Sequence, residues 1–465
     1  MSQPETKRPG RTSGTRPNLG YAFLRLFTDI RPGEAAKALL LALNIFLLLL
    51  AYYLIKPVRE ALLLVDKDAP RIKSYLSGAQ AILFVFIILG FSWLASKVSR
   101  HKLIAWVTLF FISNLVVFYI LHLAGVGAGA MGIIFFIWIG IFNYLVVAQF
   151  WGFANDLYTH DAGKRIFPLI AFGATLGAVA GSRVAKLIIG PFGLYNMMLL
   201  SGGLLVLCIV LAMVIHRRDV SLAVREKPEE PKAQEKPLKP GDGISLVVKT
   251  RYLLFIALAI LVYNFINTIG EYIISDVATR AGLAAVARGE VANMGVFIGK
   301  FFSDYQFLTN ILALVIQLFL VSRIFRWLGV GGALFVLPFI ALGGYAFISM
   351  GATLLLVKWV KSLENGTDYS LMNTTKAALF LVTSREEKYK AKVAIDTFFV
   401  RGGDALAALA VFAGTTFLGL SIERFAVLNI AFVFLWIAMS VLIYKHYMLR
   451  RGRPEAAAEA GLMKN

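Results

Sequence analysis

Charge is scarce in this chain. Only 16% of its 465 residues are Asp, Glu, Lys or Arg, against about 25% in soluble domains, and so long a chain with so little charge cannot face water over most of its length. That excludes a soluble enzyme, a disordered chain and a coiled coil. Cysteine is nearly missing: Cys208 stands alone inside the apolar run 205–214, which excludes a disulfide framework and a thiolate metal cluster. Five histidines show no metal-ligand spacing, and there is no Gly-x-Ser-x-Gly elbow, so neither catalysis nor a cofactor is expected. Phosphate-loop chemistry is missing as well. Gly295-Val-Phe-Ile-Gly299-Lys300 has one residue too few between its glycines and no Ser or Thr after Lys300, and GVGAGA at 125–130 follows an apolar run rather than a strand and reads as a turn.

What is present is apolar. Hydrophobic residues make up 58% of the chain, and its mean hydropathy is +0.73. They fall in twelve runs: 38–62, 76–96, 103–124, 131–153, 167–189 and 195–215 in a first half, then 252–275, 303–322, 329–349, 352–376, 394–417 and 425–445 in a second. Each is long enough to cross roughly 30 Å of hydrocarbon as a helix. Residues 217–250, rich in Lys, Glu and Pro, read as a flexible linker. The expected fold is an all-α membrane protein of twelve transmembrane helices in two six-helix halves, 36–216 and 251–448, with tails at 1–35 and 449–465.

Lys and Arg collect in both tails, in the linker and in alternate loops (Lys97, Arg100, Lys102; Lys164, Arg165; Arg323, Arg326; Lys388, Lys390, Lys392), whereas the loops at 125–130 and 190–193 carry none. The positive-inside rule then puts both termini in the cytoplasm. The first loop (Lys67, Arg71, Lys73) and the seventh (Arg280, Arg288) depart from it. Much of the net charge of +20 is therefore topological, and nucleic acid is not an expected partner. No small-residue cleavage site follows a short apolar stretch near the start, so the first run reads as a retained anchor.

The halves resemble each other. YYLIKPVRE (52–60) aligns without gaps with YNFINTIGE (263–271), matching Tyr52 with Tyr263, Ile55 with Ile266 and Glu60 with Glu271 at the end of the first run of each half. Two parallel six-helix halves are the plan of major-facilitator-type transporters.

Ionisable groups inside such spans are costly and mark a cavity, a pathway or a buried partner. In the first run Lys56, Arg59 and Glu60 share a face with Tyr52 if the helix continues past Pro57; otherwise the span ends at Ile55 and KPVRE is an outer loop. In the seventh, Asn264, Asn267 and Glu271 form a polar stripe that faces either a cavity or a neighbouring helix. The tenth is the most polar. There Lys361, Glu364 and Asp368 share a face, with Lys361 and Glu364 either lining an aqueous path or forming a structural pair. Lys376 has no obvious intrahelical carboxylate in its last turn, which leaves a site lysine or a snorkelling one. Arg401 and Asp404 pair at i, i+3 in the eleventh run, and Arg183 and Lys186 stand near the outer mouth of the fifth. Cations outnumber what neutralisation requires, so the expected cargo is an anion, an organic phosphate or a dicarboxylate. Tyr52, Tyr53, Trp151 and Tyr369 are positioned either to stack a base or sugar or to pack.

Three stretches carry a family resemblance. FWGFANDLYTHDAGKRIFPLIAFGATLGAVAG (150–181), DYSLMNTTKAALFLVTSREEKYKAKVAID (368–396) and YYLIKPVREALLLV (52–65) resemble segments of the nucleotide translocase family, the ATP/ADP exchangers of intracellular bacteria and plastids. The resemblance implies a bacterial inner-membrane carrier whose partner is a small anion of the nucleotide type; a monomer in the lipid bilayer is expected. It places the family's substrate-related basic position on Arg59, where the exchangers have Lys, its acidic position on Asp161 and its tenth-span lysine on Lys376. Two departures stand out: Ala377 replaces a glutamate, and Glu271 stands where the exchangers tend to show a Trp-Lys pair.

The sequence thus points to a secondary transporter of nucleotide or related phosphorylated anion, driven by exchange or a coupled ion. Tyr52, Lys56, Arg59, Asn264, Asn267, Lys361, Asp368, Lys376 and Arg401 are its expected substrate contacts, and Glu60, Asp156, Asp161, Glu271 and Glu364 its coupling or gating carboxylates. A proton-coupled carrier of another organic anion and a lipid-handling protein are the alternatives.

Overall fold

A computed structural model of the chain describes residues 34–223, 240–384 and 387–451. No strand occurs among them. An apolar run in hydrocarbon satisfies its backbone N–H and C=O groups within its own segment only as a helix, which is why the runs become helices.

The first half comprises α1 (Ala35–Leu63), α2 (Ala69–Lys97), α3 (Arg100–Leu123), α4 (Ala128–Asp156), α5 (His160–Phe192) and α6 (Leu194–Ala223). A short α7 (Pro240–Lys249) precedes the second half. That half holds α8 (Arg251–Ala287), α9 (Met294–Val315), a π-helical turn Ile316–Leu320, α10 (Val321–Ala333), α11 (Val336–Met350), α12 (Leu354–Thr367), a π-helical turn Asp368–Met372 and α13 (Asn373–Leu379). It ends with α14 (Lys392–Ala394), α15 (Val400–Thr416) and α16 (Ile422–Arg451).

Among the described residues ten helices are long and apolar enough to cross a membrane, not twelve. The ninth run yields only the 15-residue α11, and the polar tenth run is divided among α12, the π-helical turn and α13. Other bounds shift too. The first helix does not end at Ile55 but runs through Pro57 to Leu63. Lys73, read above as a loop lysine, is a buried residue of α2. The linker is helical at both ends, and α7 lies against residues 390–394: a Cβ on Gly243 would come 2.6 Å from the Lys390 carbonyl oxygen. The glycine-lysine stretch 295–300 opens α9, whose first turn is capped by Asn293 accepting from the Val296 N–H at 3.1 Å.

Buried apolar side chains form two large clusters, one drawn from residues 38–215 and one from 247–447 joined by Leu64 and Ala69. The first helix of each half is the one its neighbours approach most closely. Gly173, Gly177 and Gly181, spaced one turn apart on α5, lie on the backbone of Ala42, Phe46 and Leu50 in α1; a Cβ on Gly173 or Gly181 would sit 2.6 or 2.7 Å from a carbonyl oxygen. Small residues at such crossings let membrane helices gain dispersion contact where no hydrophobic force separates lipid from side chain. In the second half Gly403 of α15 lies on Leu261 of α8 in the same manner. The halves meet where α1 and α5 pack on α9 and α2 packs on α15.

Candidate functional site

Between the halves lies a cavity of about 340 Å³, within the range of small-molecule sites. α1 lines it with Tyr52, Tyr53, Lys56, Arg59 and Glu60, because i, i+3, i+4 spacing puts these on adjacent parts of one face. α2 adds Lys73 and Gln80, and α8 adds Asn267, Thr268 and Glu271. α9 brings Tyr305, Gln306, Thr309 and Asn310; Asn365 of α12, Tyr369 of the following π-helical turn, and Arg401 and Asp404 of α15 complete the polar wall.

Its charges are linked in a chain. Arg59 Nε lies 2.9 Å from Glu60 Oε1, and the other Glu60 oxygen is 2.9 Å from Lys73 Nζ. The same Nζ stands 3.8 Å from Glu271 Oε2 and donates to Ser275 Oγ at 2.8 Å. The two repeat-related carboxylates, Glu60 and Glu271, therefore share one lysine that belongs to neither repeat motif. Glu271 Oε1 accepts from the Tyr305 hydroxyl at 3.0 Å and the Asn365 amide at 3.1 Å. Across the cavity Arg401 pairs with Asp404 at 3.2 Å, and Thr268 donates to the second Asp404 oxygen at 2.8 Å.

Four lining cations face three carboxylates, one positive charge in excess. Among the described residues the cavity cation without an ion pair is Lys56, whose Nζ stands 5.0 Å and 5.8 Å from the ring centroids of Tyr53 and Tyr52, at cation–π range. The surplus of span cations read from the sequence is thus much smaller here. Arg59 and Arg401 are partnered, and Lys186, expected at the outer mouth, pairs with Asp304, which also holds Lys358 at 2.9 Å.

Of the residues singled out from sequence, Tyr52, Lys56, Arg59, Glu60, Asn267, Glu271 and Arg401 meet at this cavity. Others are placed elsewhere. Asn264 does not line it: its amide donates to Ile260 O at 2.8 Å within its own helix. Lys361 and Glu364 are fully buried outside the lining, 2.9 Å apart, with Lys361 also donating to Asn267 Oδ1 at 2.9 Å and Tyr345 donating to Glu364 at 3.1 Å. They form the structural pair, and Asn267 is their link to the cavity wall. Lys376 pairs with Asp368 at 3.3 Å beside a small apolar pocket of the second half that includes Tyr263 and Trp436. Its partner eight residues back was invisible on an α-helical wheel. The wider i→i+5 turn at Asp368–Met372 rotates both side chains onto one face. Asp156 ends α4, exposed and away from the lining; the side chain of Asp161 lies outside those described.

The sequence reading passed over Lys73, Asp304, Tyr305, Gln306 and Thr309. Lys73 was hidden by a helix start placed seven residues late. Asp304 had a signal: a carboxylate in an apolar run while two lysines elsewhere lacked partners. Tyr305, Gln306 and Thr309 are uncharged and blend into an apolar run, so only their common face in space distinguishes them.

Residues 131–447 match the family model for the TLC ATP/ADP transporter. The chain belongs to the TLC ATP/ADP transporter family. Among its relatives in that family, ADP,ATP carrier protein 1 of Chlamydia pneumoniae is 26% identical over 57% of each chain, and ADP,ATP carrier protein 2 of the same organism is 22% identical over 90% of each. ADP,ATP carrier protein 2, chloroplastic, of Arabidopsis thaliana is 26% identical over 55% of this chain and 44% of its own. The chain thus spans 57% of the length of the first of these relatives. Among solved structures, the nucleoside transporter NupG aligns with a TM-score of 0.60 at 14% identity, over 90% of this chain and 99% of NupG. A bacterial homolog of the human lysosomal transporter Spinster, inward-facing and unoccupied, aligns with a TM-score of 0.57 at 14% identity, over 92% of this chain and 100% of its own. These likenesses show a major-facilitator-like fold for this member of the TLC family.

Proposed function

We propose that the chain is a secondary transporter that exchanges a nucleotide of the ATP/ADP type, or a related phosphorylated anion, across a bacterial inner membrane. The observation that carries this reading is Lys56, an ammonium without a carboxylate partner in a cavity walled by tyrosines and shared by both halves. A substrate phosphate supplies the missing counter-charge, with Arg59 beside it. Membership of the TLC ATP/ADP transporter family and the names of the relatives support the substrate class.

In this reading α11 and the broken α12–α13 segment complete twelve crossings in two six-helix halves, 36–216 and 251–448, and the protein works as a monomer with both termini cytoplasmic. The halves rock about the central cavity. Lys73, between Glu60 and Glu271, and Asp304, between Lys186 and Lys358, tie the halves on the side where α1 ends. Separating them opens the cavity to that side.

Protein reconstituted into vesicles loaded with ADP takes up labelled ATP, and Lys56→Gln lowers the apparent affinity about tenfold or more, the scale of one charge-assisted contact. Absence of uptake for every nucleotide and phosphate ester tried overturns the proposal. The near balance of charge in the lining favours a second reading, an ion-coupled carrier of a less charged anion. Uptake that follows an imposed pH gradient and ignores internal nucleotide selects it.

A further inference from the structure

Two polar atoms in the cavity wall have no hydrogen-bond partner among the described residues. Gln306 and Thr309 are only 4% and 3% exposed, both line the cavity, and Gln306 Oε1 and Thr309 Oγ1 have no hydrogen-bond partner. Their neighbours on α9 are satisfied: Ser303 donates to Gly299 O at 2.7 Å, Tyr305 to Glu271 at 3.0 Å and Asn310 to Ala178 O at 3.3 Å. A buried polar atom without a partner lowers stability, and such a cost persists where a ligand completes the bond.

Spacing of i, i+3 puts both groups on one face of α9, one turn apart. A carboxamide carries a donor and an acceptor side by side, and this pair matches the adjacent amino group and ring nitrogen of adenine; guanine presents two acceptors at the equivalent edge. The Thr309 hydroxyl donates or accepts as the ligand requires. The same cavity is lined by Tyr52, Tyr53 and Tyr369, of which Tyr369 is exposed, and a tyrosine ring stacks on any base. No lining group of this kind is charged, so the wall suits the uncharged end of a nucleotide.

Resting on the nucleotide reading given above, we propose that Gln306 and Thr309 form the base-reading subsite of the cavity and set its preference for adenine. Lys56 and Arg59 take the phosphates, while the α9 wall takes the base edge. The two ends of the substrate thereby contact different halves, since Lys56 belongs to α1 and Gln306 to α9, and binding bridges the halves.

The test is competition against labelled ATP uptake in proteoliposomes by ATP, GTP and inorganic tripolyphosphate, which has phosphates and no base. Wild type prefers ATP to both. Gln306→Leu and Thr309→Val each reduce the ATP-over-GTP preference at least about fivefold, the low end of what one bidentate base contact discriminates, and leave inhibition by tripolyphosphate within about twofold. Gln306→Glu, of equal size, exchanges the donor for a second acceptor and turns the preference toward GTP, because a guanine turned to present its Watson–Crick edge offers N1–H and the exocyclic amino group as adjacent donors. This change of sign cannot come from misfolding, and it decides the matter if the Leu variant fails to insert. An ATP-to-GTP ratio unchanged in all three variants overturns the subsite while the transport reading stands. Tripolyphosphate competing as well as ATP in wild type does the same. Wild type that responds to none of the three compounds removes both.

Discussion

Lys73→Met removes the one cation that holds Glu60 and Glu271 together. Lys73 is 5% exposed, with its ammonium 2.9 Å from Glu60 and 3.8 Å from Glu271. Breaking a buried ion pair from one side costs about 3–5 kcal/mol, because the remaining charge stays uncompensated. Here the cost falls at the lower end, about 3 kcal/mol. Glu60 keeps Arg59, Glu271 keeps the Tyr305 and Asn365 donors, and the Glu271 side chain is 29% exposed. The assay is equilibrium unfolding in mixed detergent, run as two double-mutant cycles pairing Lys73→Met with Glu60→Gln and with Glu271→Gln. The shorter, drier contact couples more strongly: about 2 kcal/mol for Glu60 and about 1 kcal/mol for Glu271, inside the usual range for residues in contact. Additivity within about 0.5 kcal/mol in both cycles, or a Glu271 coupling larger than that of Glu60, refutes the idea that one lysine bridges the repeat-related carboxylates.

Three further outcomes are expected. Gly177→Ala drives a methyl into the Phe46 carbonyl of α1 and destabilises the protein by about 1–3 kcal/mol, the cost of overpacking; the same change at Gly203, where a Cβ meets nothing within 4 Å, leaves unfolding unchanged. Lys376→Gln lowers stability without changing substrate affinity, because its partner is Asp368 and not the cavity; a fall in affinity with unchanged stability would return Lys376 to the site. Glu387 lies outside the long apolar helices. Burial pushes its carboxyl up, but the Arg450 guanidinium at 2.9 and 3.1 Å and the Ser384 N–H at 3.0 Å hold it below the usual range. A depressed folded-state pKa contributes stability above the unfolded value of about 4.3 and loses it as pH falls. Arg450→Gln is therefore less stable at pH 7 by about 1 kcal/mol, a figure kept small for a partly solvated pair, and the difference narrows on acidification below about pH 4; a difference independent of pH contradicts the assignment.

The apolar runs were legible because hydrocarbon accepts only a backbone that satisfies itself. Composition alone established a helical membrane protein, and the repeat of YYLIKPVRE in YNFINTIGE located the carboxylates Glu60 and Glu271 that meet across the cavity. Lys56, Arg59, Glu60, Asn267 and Glu271, which the helical period places on shared faces of α1 and α8, line the cavity. The period does not fix where that face points. Asn264 shares the stripe of Asn267 yet bonds within its own helix, and Lys361 and Glu364 face a buried niche beside Tyr345.

Residue type and spacing within one segment therefore determined that the chain crosses a membrane, that it repeats, and which side chains are too costly to leave in lipid. Tertiary structure alone decided which charges cancel. Lys73 finds Glu60 and Glu271, Asp304 finds Lys186 and Lys358, and a π-helical turn swings Asp368 to Lys376. Those pairings join segments up to 198 positions apart, such as Lys73 and Glu271. Among the described residues, the cavity cation left without an ion pair after they form is Lys56, because electrostatic compensation depends on distance in space and not on order along the chain.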